Sequence, residues 1–390
     1  MRANYRVANV INIHKNNLDK WCANSWKSRT LHAIRKCRTI ALGGHIDKCD
    51  CCNKLHLSYN SCRNRHCPTC QGHKREQWIE KRSEELLNIP YYHVVFTLPH
   101  ELNELYLYEP KLVYSTLFET AWQTLQGFAE NPAYLGARTG MIALLHTWGQ
   151  NLQLHPHLHC IVPAGGVQEN GEWKMSKNKG NFLFPVKEIS QVFRAKFVAN
   201  LRKKKKDIPQ ILYDSLFQKN WVVYAKKAFV KPKYVIEYLG RYSHKVAISN
   251  HRILGIHNKS NTVTFNLKNY KKGGRKETLT LSQKEFIRRF TLHILPKGFT
   301  RIRHYGILSG TWKKKHLKAL QEKLGGQKGV NKETKTVDNQ SKHLQCPSCK
   351  KGTLHTILIF TKIRPPPAYL LRQIKNQKQQ KKINKRISND

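Results

Sequence analysis

Cysteine spacing constrains this chain more than any other feature of its sequence. Eight of the eleven cysteines fall within residues 22–70, and two more form Cys346-Pro347-Ser348-Cys349. The N-terminus, Met1-Arg2-Ala3-Asn4-Tyr5-Arg6, lacks the apolar segment of a signal peptide. In a long chain of that kind, clustered cysteines point to metal rather than to disulfides. Cys49-Asp50-Cys51-Cys52 and Cys67-Pro68-Thr69-Cys70 are C-x-x-C knuckles fourteen residues apart. Together they offer four thiolates for a tetrahedral Zn²⁺ site, so the expected ligands are Cys49, Cys52, Cys67 and Cys70. Cys51, Cys62, His56 and His66 are spare candidates. Cys22 and Cys37 read as packed thiols on two short N-terminal helices. Cys346 and Cys349 make half a site, with His355 as a further candidate ligand.

A second metal signal lies at His155-Pro156-His157-Leu158-His159-Cys160-Ile161-Val162. Read as a strand, it puts Leu158, Cys160 and Val162 on one face, the core face. His157 and His159 share the other, about 7 Å apart by twice the strand rise. Two imidazoles side by side on a rigid strand begin a divalent metal site. Met141–Trp148 reads as the preceding strand of a hairpin whose loop runs from Gly149 to Pro156. In that register His146 faces His159 and becomes the expected third ligand, ahead of Gln150.

Charge narrows the partner. Lys and Arg number 70 against 24 Asp and Glu, a net charge of 70 − 24 = +46. Such a chain seeks a polyanion, DNA or RNA before an anionic membrane. No apolar run of membrane-spanning length interrupts it, so no membrane partner is expected and the cytoplasm, at the nucleoid, is the expected location. Arg63 and Arg65 beside the knuckles, Arg241, and Arg301 and Arg303 in the basic loop Pro296–Gly306 are the candidate DNA contacts.

Periodicity places helices over Lys74–Asn88 and from Pro110 to about Glu130, and a strand over Tyr91–Leu98 carrying His93. Lys231–Arg241 reads as a helix with Tyr234 and Tyr238, and Tyr242 at its end. Beyond Gly325 the composition turns polar. The organisation expected is an N-terminal helical and zinc-binding module over 1–80, a catalytic domain over 85–310, a polar linker over 311–345, and a C-x-x-C segment with a basic, partly disordered tail over 346–390.

A histidine metal site, spaced tyrosines and strong positive charge suggest DNA strand cleavage by a tyrosine oxygen. A phosphotyrosine link conserves the energy of the phosphodiester, so religation needs no ATP. The sequence holds no G-x-x-x-x-G-K-[ST] loop, in keeping with that. Tyr234 with Tyr238, and Tyr238 with Tyr242, both have the spacing of one helix face, and periodicity does not choose between them.

Six stretches resemble the rolling-circle transposases of the insertion sequence ninety-one family. They are Ser61-Cys62-Arg63-Asn64-Arg65-His66-Cys67-Pro68, Tyr92-His93-Val94-Val95-Phe96-Thr97-Leu98-Pro99, His146-Thr147-Trp148-Gly149-Gln150-Asn151-Leu152, His155 to Cys160, Tyr238-Leu239-Gly240-Arg241-Tyr242-Ser243-His244, and Leu295-Pro296-Lys297-Gly298-Phe299. The resemblance covers roughly residues 40–310. It implies an α+β fold: a HUH endonuclease domain, an antiparallel sheet flanked by helices, named for histidine–bulky residue–histidine, here His157-Leu158-His159. It also implies an N-terminal zinc module, catalytic Mg²⁺ or Mn²⁺, and Tyr238 and Tyr242 as the nucleophile pair. The substrate it implies is single-stranded DNA at the element's ends, cut through a 5′-phosphotyrosine. The motif does not fix the third metal ligand, so His146 rests on the hairpin argument. Two alternatives stand beside this one: a HUH replication initiator or relaxase, and a non-catalytic zinc-dependent nucleic-acid-binding protein.

Overall fold

The computed structural model describes residues 4–22, 24–70, 79, 84–176, 184–229, 234–235, 240, 246–269, 272–325 and 344–387. Near the N-terminus, Asn24 starts the helix Ser25–Lys36 by accepting hydrogen bonds from the Trp26 and Lys27 amides. The strands β1 (Gly44–Cys49) and β2 (Leu55–Tyr59) follow as a hairpin.

A five-stranded antiparallel sheet forms the centre. Its strands are β3 (Tyr91–Thr97), β4 (Gly140–Trp148), β5 (Leu154–Pro163), β6 (Val223–Phe229) and β7 (Ile302–Gly306), in the order β7-β4-β5-β3-β6. Alternation divides its two faces. Val94, Phe96, Met141, Ala143, Leu145, Leu158, Cys160 and Val162 point into one core, beneath the helices Pro110–Glu130 and Val186–Lys204, which contribute Leu117, Phe118, Ala121, Phe193 and Phe197. Burying each large apolar side chain contributes about 1.5–3 kcal/mol, so this face anchors the sheet. The opposite face carries Ile142 and Ile161 at one end, packed with Leu87, Val235, Ile307, Leu308 and Leu320. The architecture is α+β.

The N-terminal helices do not pack on the cysteine module alone. Val10, Ile11, Leu31 and Ile34 share a core with Val263, Phe265, Phe286 and Phe290. Those residues come from a separate antiparallel sheet, Ile253–His257, Thr262–Asn269 and Arg275–Ser282, and from the helix Gln283–Leu292 behind it.

The helix expected over Lys74–Asn88 falls mostly outside the described residues, and two other expectations about the ends of the elements change. Residues 310–323, expected to begin a polar linker, are a helix: Ser309 caps it, and Trp312, Leu317, Leu320 and Leu324 form an apolar stripe beneath the sheet. Lysines between those four positions mask the stripe in a compositional reading. The C-terminal segment is not a detached tail either. Its strand β8 (Leu354–Phe360) pairs antiparallel with β1, giving the order β8-β1-β2, and a helix over Ala368–Ile387 seats Leu370 and Ile374 against Ile46 and Phe360.

Candidate functional site

His146, His157 and His159 converge on the sheet face opposite the helical core. One ring nitrogen from each lies within 4.8 Å of the others. The expected register is corrected here. His146 pairs with His157, and Leu144 pairs with His159. The loop is shorter than expected because β5 starts at Leu154 and runs through Pro156. A proline cannot donate to the ladder, and the register shift between His146 and Trp148 falls beside it. The correction moves pairing by two residues and leaves all three imidazoles on one face.

Neighbouring groups orient these rings. His159 Nδ1 is 2.9 Å from His93 Nε2, with the two rings stacked at 5.2 Å between centroids and 12° between planes. His157 Nδ1 donates to the His155 carbonyl at 2.6 Å. These contacts fix the orientation of both rings. Trp148 stacks on His146 at 4.6 Å. His146 and His159 are buried and His157 is half-buried, which opens the centre on the His157 side. The three imidazoles fit a divalent ion, and neutral nitrogen donors suit Mn²⁺ better than Mg²⁺. His93 was visible in the sequence only as an alternating strand residue; nothing in its spacing marked it as a partner of His159.

Tyr238, Tyr242 and Arg241 lie outside the described residues. Tyr234 and Val235 are helical. Val235 is buried in the cluster that holds Ile142 and Ile161, on the histidine face, and Tyr234 is exposed.

The arginines expected to meet DNA divide differently. Arg63 is exposed and has a left-handed backbone, φ 52°. Arg65 spends its guanidinium on the Phe299 and Pro296 carbonyls, at 2.5 and 3.1 Å. Arg301 donates to the Leu145 carbonyl at 3.0 Å and lies over the Trp148 ring. Burial, and then the neighbouring Arg65, bring Arg301 down to about 9. The cavity these two line with His66 and His293 is about 10 Å³, room for one water and not for a phosphate. Arg303 lies over Phe118 and Phe299, on the helical face of the sheet. Arg65 and Arg301 thus hold the seam between the cysteine module and the sheet, and Arg303 packs on the core.

The cysteines form two tetrads, Cys37-Cys62-Cys67-Cys70 and Cys49-Cys52-Cys346-Cys349, each with its sulfurs within 4.8 Å of one another. This overturns the expected set of Cys49, Cys52, Cys67 and Cys70. Cys49 and Cys52 sit at the tip of the β1–β2 hairpin, whereas Cys62, Cys67 and Cys70 follow its base. The hairpin is five residues long, so about 16 Å separates the two ends. At the base, Cys37 ends the helix Ser25–Lys36, its sulfur accepting from the Cys62 amide at 3.5 Å, and Cys62 and Cys70 are 3.8 Å apart. Cys37 is thus a member of the tetrad rather than a packed thiol. Cys51 is exposed and in neither group, and His355 pairs with Asp50 instead of joining. Four thiolates this close repel one another unless a cation is shared, and an all-sulfur tetrahedral donor set suits Zn²⁺.

Two family models match the chain: "Transposase zinc-binding domain" over residues 10–98, and "Putative transposase" over residues 140–316. The first span contains Cys37, Cys62, Cys67 and Cys70, and the second contains the three histidines and both tyrosines. The chain is 41% identical over 364 residues to the putative transposase y4qJ of Sinorhizobium fredii, covering 87% of this chain and 91% of that protein. It is 30% identical over 308 residues to the transposase for insertion sequence element IS801 of Pseudomonas savastanoi pv. phaseolicola, covering 76% and 73%. No solved structure matches it. Among the described residues no helix is long and apolar enough to cross a membrane.

Proposed function

Because the chain belongs to the transposases of the insertion sequence ninety-one family, we propose that it cuts and rejoins single DNA strands at the ends of an insertion sequence. The cut proceeds through a covalent 5′-phosphotyrosine, in transposition of the rolling-circle type, at the nucleoid in the cytoplasm. The observation that carries this reading is the convergence of His146, His157 and His159 on one face of an antiparallel sheet, with His93 and the His155 carbonyl setting their rings.

The three imidazoles would hold Mn²⁺ or Mg²⁺, which supplies Lewis-acid polarisation of the scissile phosphate. Tyr238 and Tyr242 are the proposed nucleophiles. Tyr238 follows by three residues in sequence Val235, which is buried on the histidine face of the sheet. A tyrosine oxygen gives up its proton and bonds to phosphorus while the bond to the 3′ oxygen breaks, and that oxygen leaves as a hydroxyl. An ordinary tyrosine titrates near 10, so surrounding positive charge has to favour the phenolate. Reversal by an incoming 3′-hydroxyl restores the tyrosine and a phosphodiester. The second tyrosine permits a second cut while the first strand end stays held.

The test is denaturing electrophoresis of the protein with labelled single-stranded DNA from the element's end, with Mn²⁺ or Mg²⁺. A covalent adduct is expected, absent from Tyr238→Phe/Tyr242→Phe and from His157→Ala or His159→Ala. An adduct that survives the double Phe change moves the nucleophile elsewhere, to Tyr234 first. Cleavage by the unaltered protein with no adduct makes water the nucleophile and sinks the proposal.

A further inference from the structure

We infer that Cys49, Cys52, Cys346 and Cys349 form a second zinc centre, to which the two ends of the chain contribute two thiolates each. Nothing in the transposase reading requires it: Cys346 and Cys349 lie outside both matched family spans.

Two knuckles of the same construction meet here. In the first, the Cys49 sulfur accepts from the Cys52 amide at 3.5 Å, the Asn53 amide donates to the Cys49 carbonyl at 3.1 Å, and Asn53 is left-handed with φ 52°. In the second, the Cys346 sulfur accepts from the Ser348 amide at 3.4 Å, the Lys350 amide donates to the Cys346 carbonyl at 2.9 Å, and Lys350 is left-handed with φ 60°. In each, the left-handed residue directly follows the second cysteine. Amides aimed at sulfur favour the thiolate, the form that binds metal. Across the pair, Cys49 and Cys349 are 3.7 Å apart, and Cys52 and Cys346 are 3.8 Å apart. A disulfide needs about 2.05 Å, so these sulfurs surround a centre rather than bond in pairs.

The surrounding chain is shaped for this approach. A Cβ on Gly352 would stand 2.7 Å from the Cys49 sulfur and 2.5 Å from the Cys51 Cβ, so only glycine lets the knuckles close. Asp50 accepts from the Thr353 amide at 2.8 Å, and β8 continues from there along β1. Beyond β8, Gln377 accepts from the Leu55 amide at 3.1 Å. Among the described residues, the apolar cluster joining the two ends has four buried members, Ile46, Phe360, Leu370 and Ile374, with Leu55, Leu57, Tyr59 and Leu358 partly buried against it. A core that small does not hold a segment of this length by itself, and small modules commonly close on metal instead. Zinc is the ion that an all-thiolate tetrahedral set selects. Its consequence is a clamp. The helix Ala368–Ile387, with Arg372 and Lys375 exposed, is held on the N-terminal hairpin rather than left as a loose tether.

The full-length protein, purified without chelator, is tested in two ways. Metal analysis should find two zinc ions per chain, falling to one in Cys346→Ser/Cys349→Ser and staying at two in Cys51→Ser. Thiol alkylation read by mass spectrometry guards against a variant that fails to fold. In the unaltered chain, Cys49, Cys52, Cys346 and Cys349 should resist alkylation together and become reactive together on adding chelator, with Cys51 reactive throughout. One zinc per chain in the unaltered protein, or ready alkylation of Cys346 and Cys349 before chelation, overturns the inference. Protection that yields only to a reductant overturns it as well, because it means disulfides.

Discussion

Replacing His93 with phenylalanine isolates what the second strand contributes to the histidine centre. His93 and His159 are both buried, 3% and 8% exposed, and share a 2.9 Å hydrogen bond within a stacked pair of rings. Phenylalanine keeps a flat ring in that stack and removes the nitrogen. Loss of an outer partner to a ligating histidine lowers metal affinity about 10–100-fold. That is about 1.4–2.7 kcal/mol, within the cost of removing one partner from a buried polar group, about 1–3 kcal/mol. Calorimetric titration with Mn²⁺ should therefore show the apparent Kd rising by about 10–100-fold. Strand cleavage should shift to higher Mn²⁺ and recover most of its maximum at saturation. His93→Gln, which offers an amide toward Nδ1, should fall between the two. If His93→Phe binds Mn²⁺ within about threefold of the unaltered protein, or loses maximal cleavage at unchanged affinity, His93 does not orient His159 and the argument fails.

Three other outcomes are expected. Burial pulls His293 down to about 4, and its partners, the Thr147 hydroxyl at 3.1 Å and the Leu152 carbonyl at 3.0 Å, suit the neutral ring. Between pH 6.5 and 4 the unfolded chain binds this proton and the folded chain does not, so stability falls as pH drops through that window, by up to about 3 kcal/mol; thermal unfolding of His293→Gln should show a flatter pH dependence there, and parallel curves would refute it. Arg303→Met should cost about 1 kcal/mol of stability through the lost contacts with Phe118 and Phe299 and leave the salt dependence of DNA binding unchanged; a shallower salt slope in fluorescence anisotropy would return Arg303 to the DNA. Deleting residues 364–390 removes a basic segment but keeps both cysteine tetrads, so it should weaken binding to all DNA sequences alike and flatten the salt slope; loss of preference for one sequence would make the segment a reader instead.

How much of this was legible in the sequence depends on what each inference had to get right. The strand carrying His157 and His159, its core face and the membership of His146 all follow from period-two alternation, a local property. The hairpin register that spacing gives is displaced by two residues, because Pro156 reads as the end of the loop. An even displacement conserves the face, so either register places His146 beside His157 and His159. The cysteines had no such protection. Spacing shows that Cys49 with Cys52, Cys67 with Cys70, and Cys346 with Cys349 are knuckles, but which knuckle meets which is settled by the β1–β8 pairing, between segments about three hundred residues apart in the chain. Cys37 was hidden for the same reason, since its distance from Cys62 closes only when the helix Ser25–Lys36 meets the base of the hairpin. The arginines are a different case. Charge is legible in sequence, but desolvation is not, and Arg65 and Arg301 reveal their role only when the carbonyls of Pro296, Phe299 and Leu145 are seen to take their donors. A basic residue beside a metal motif is evidence for a phosphate contact only after its side chain is known to reach solvent, and of the four described arginines expected to meet DNA, Arg63 is exposed while Arg65, Arg301 and Arg303 are half-buried.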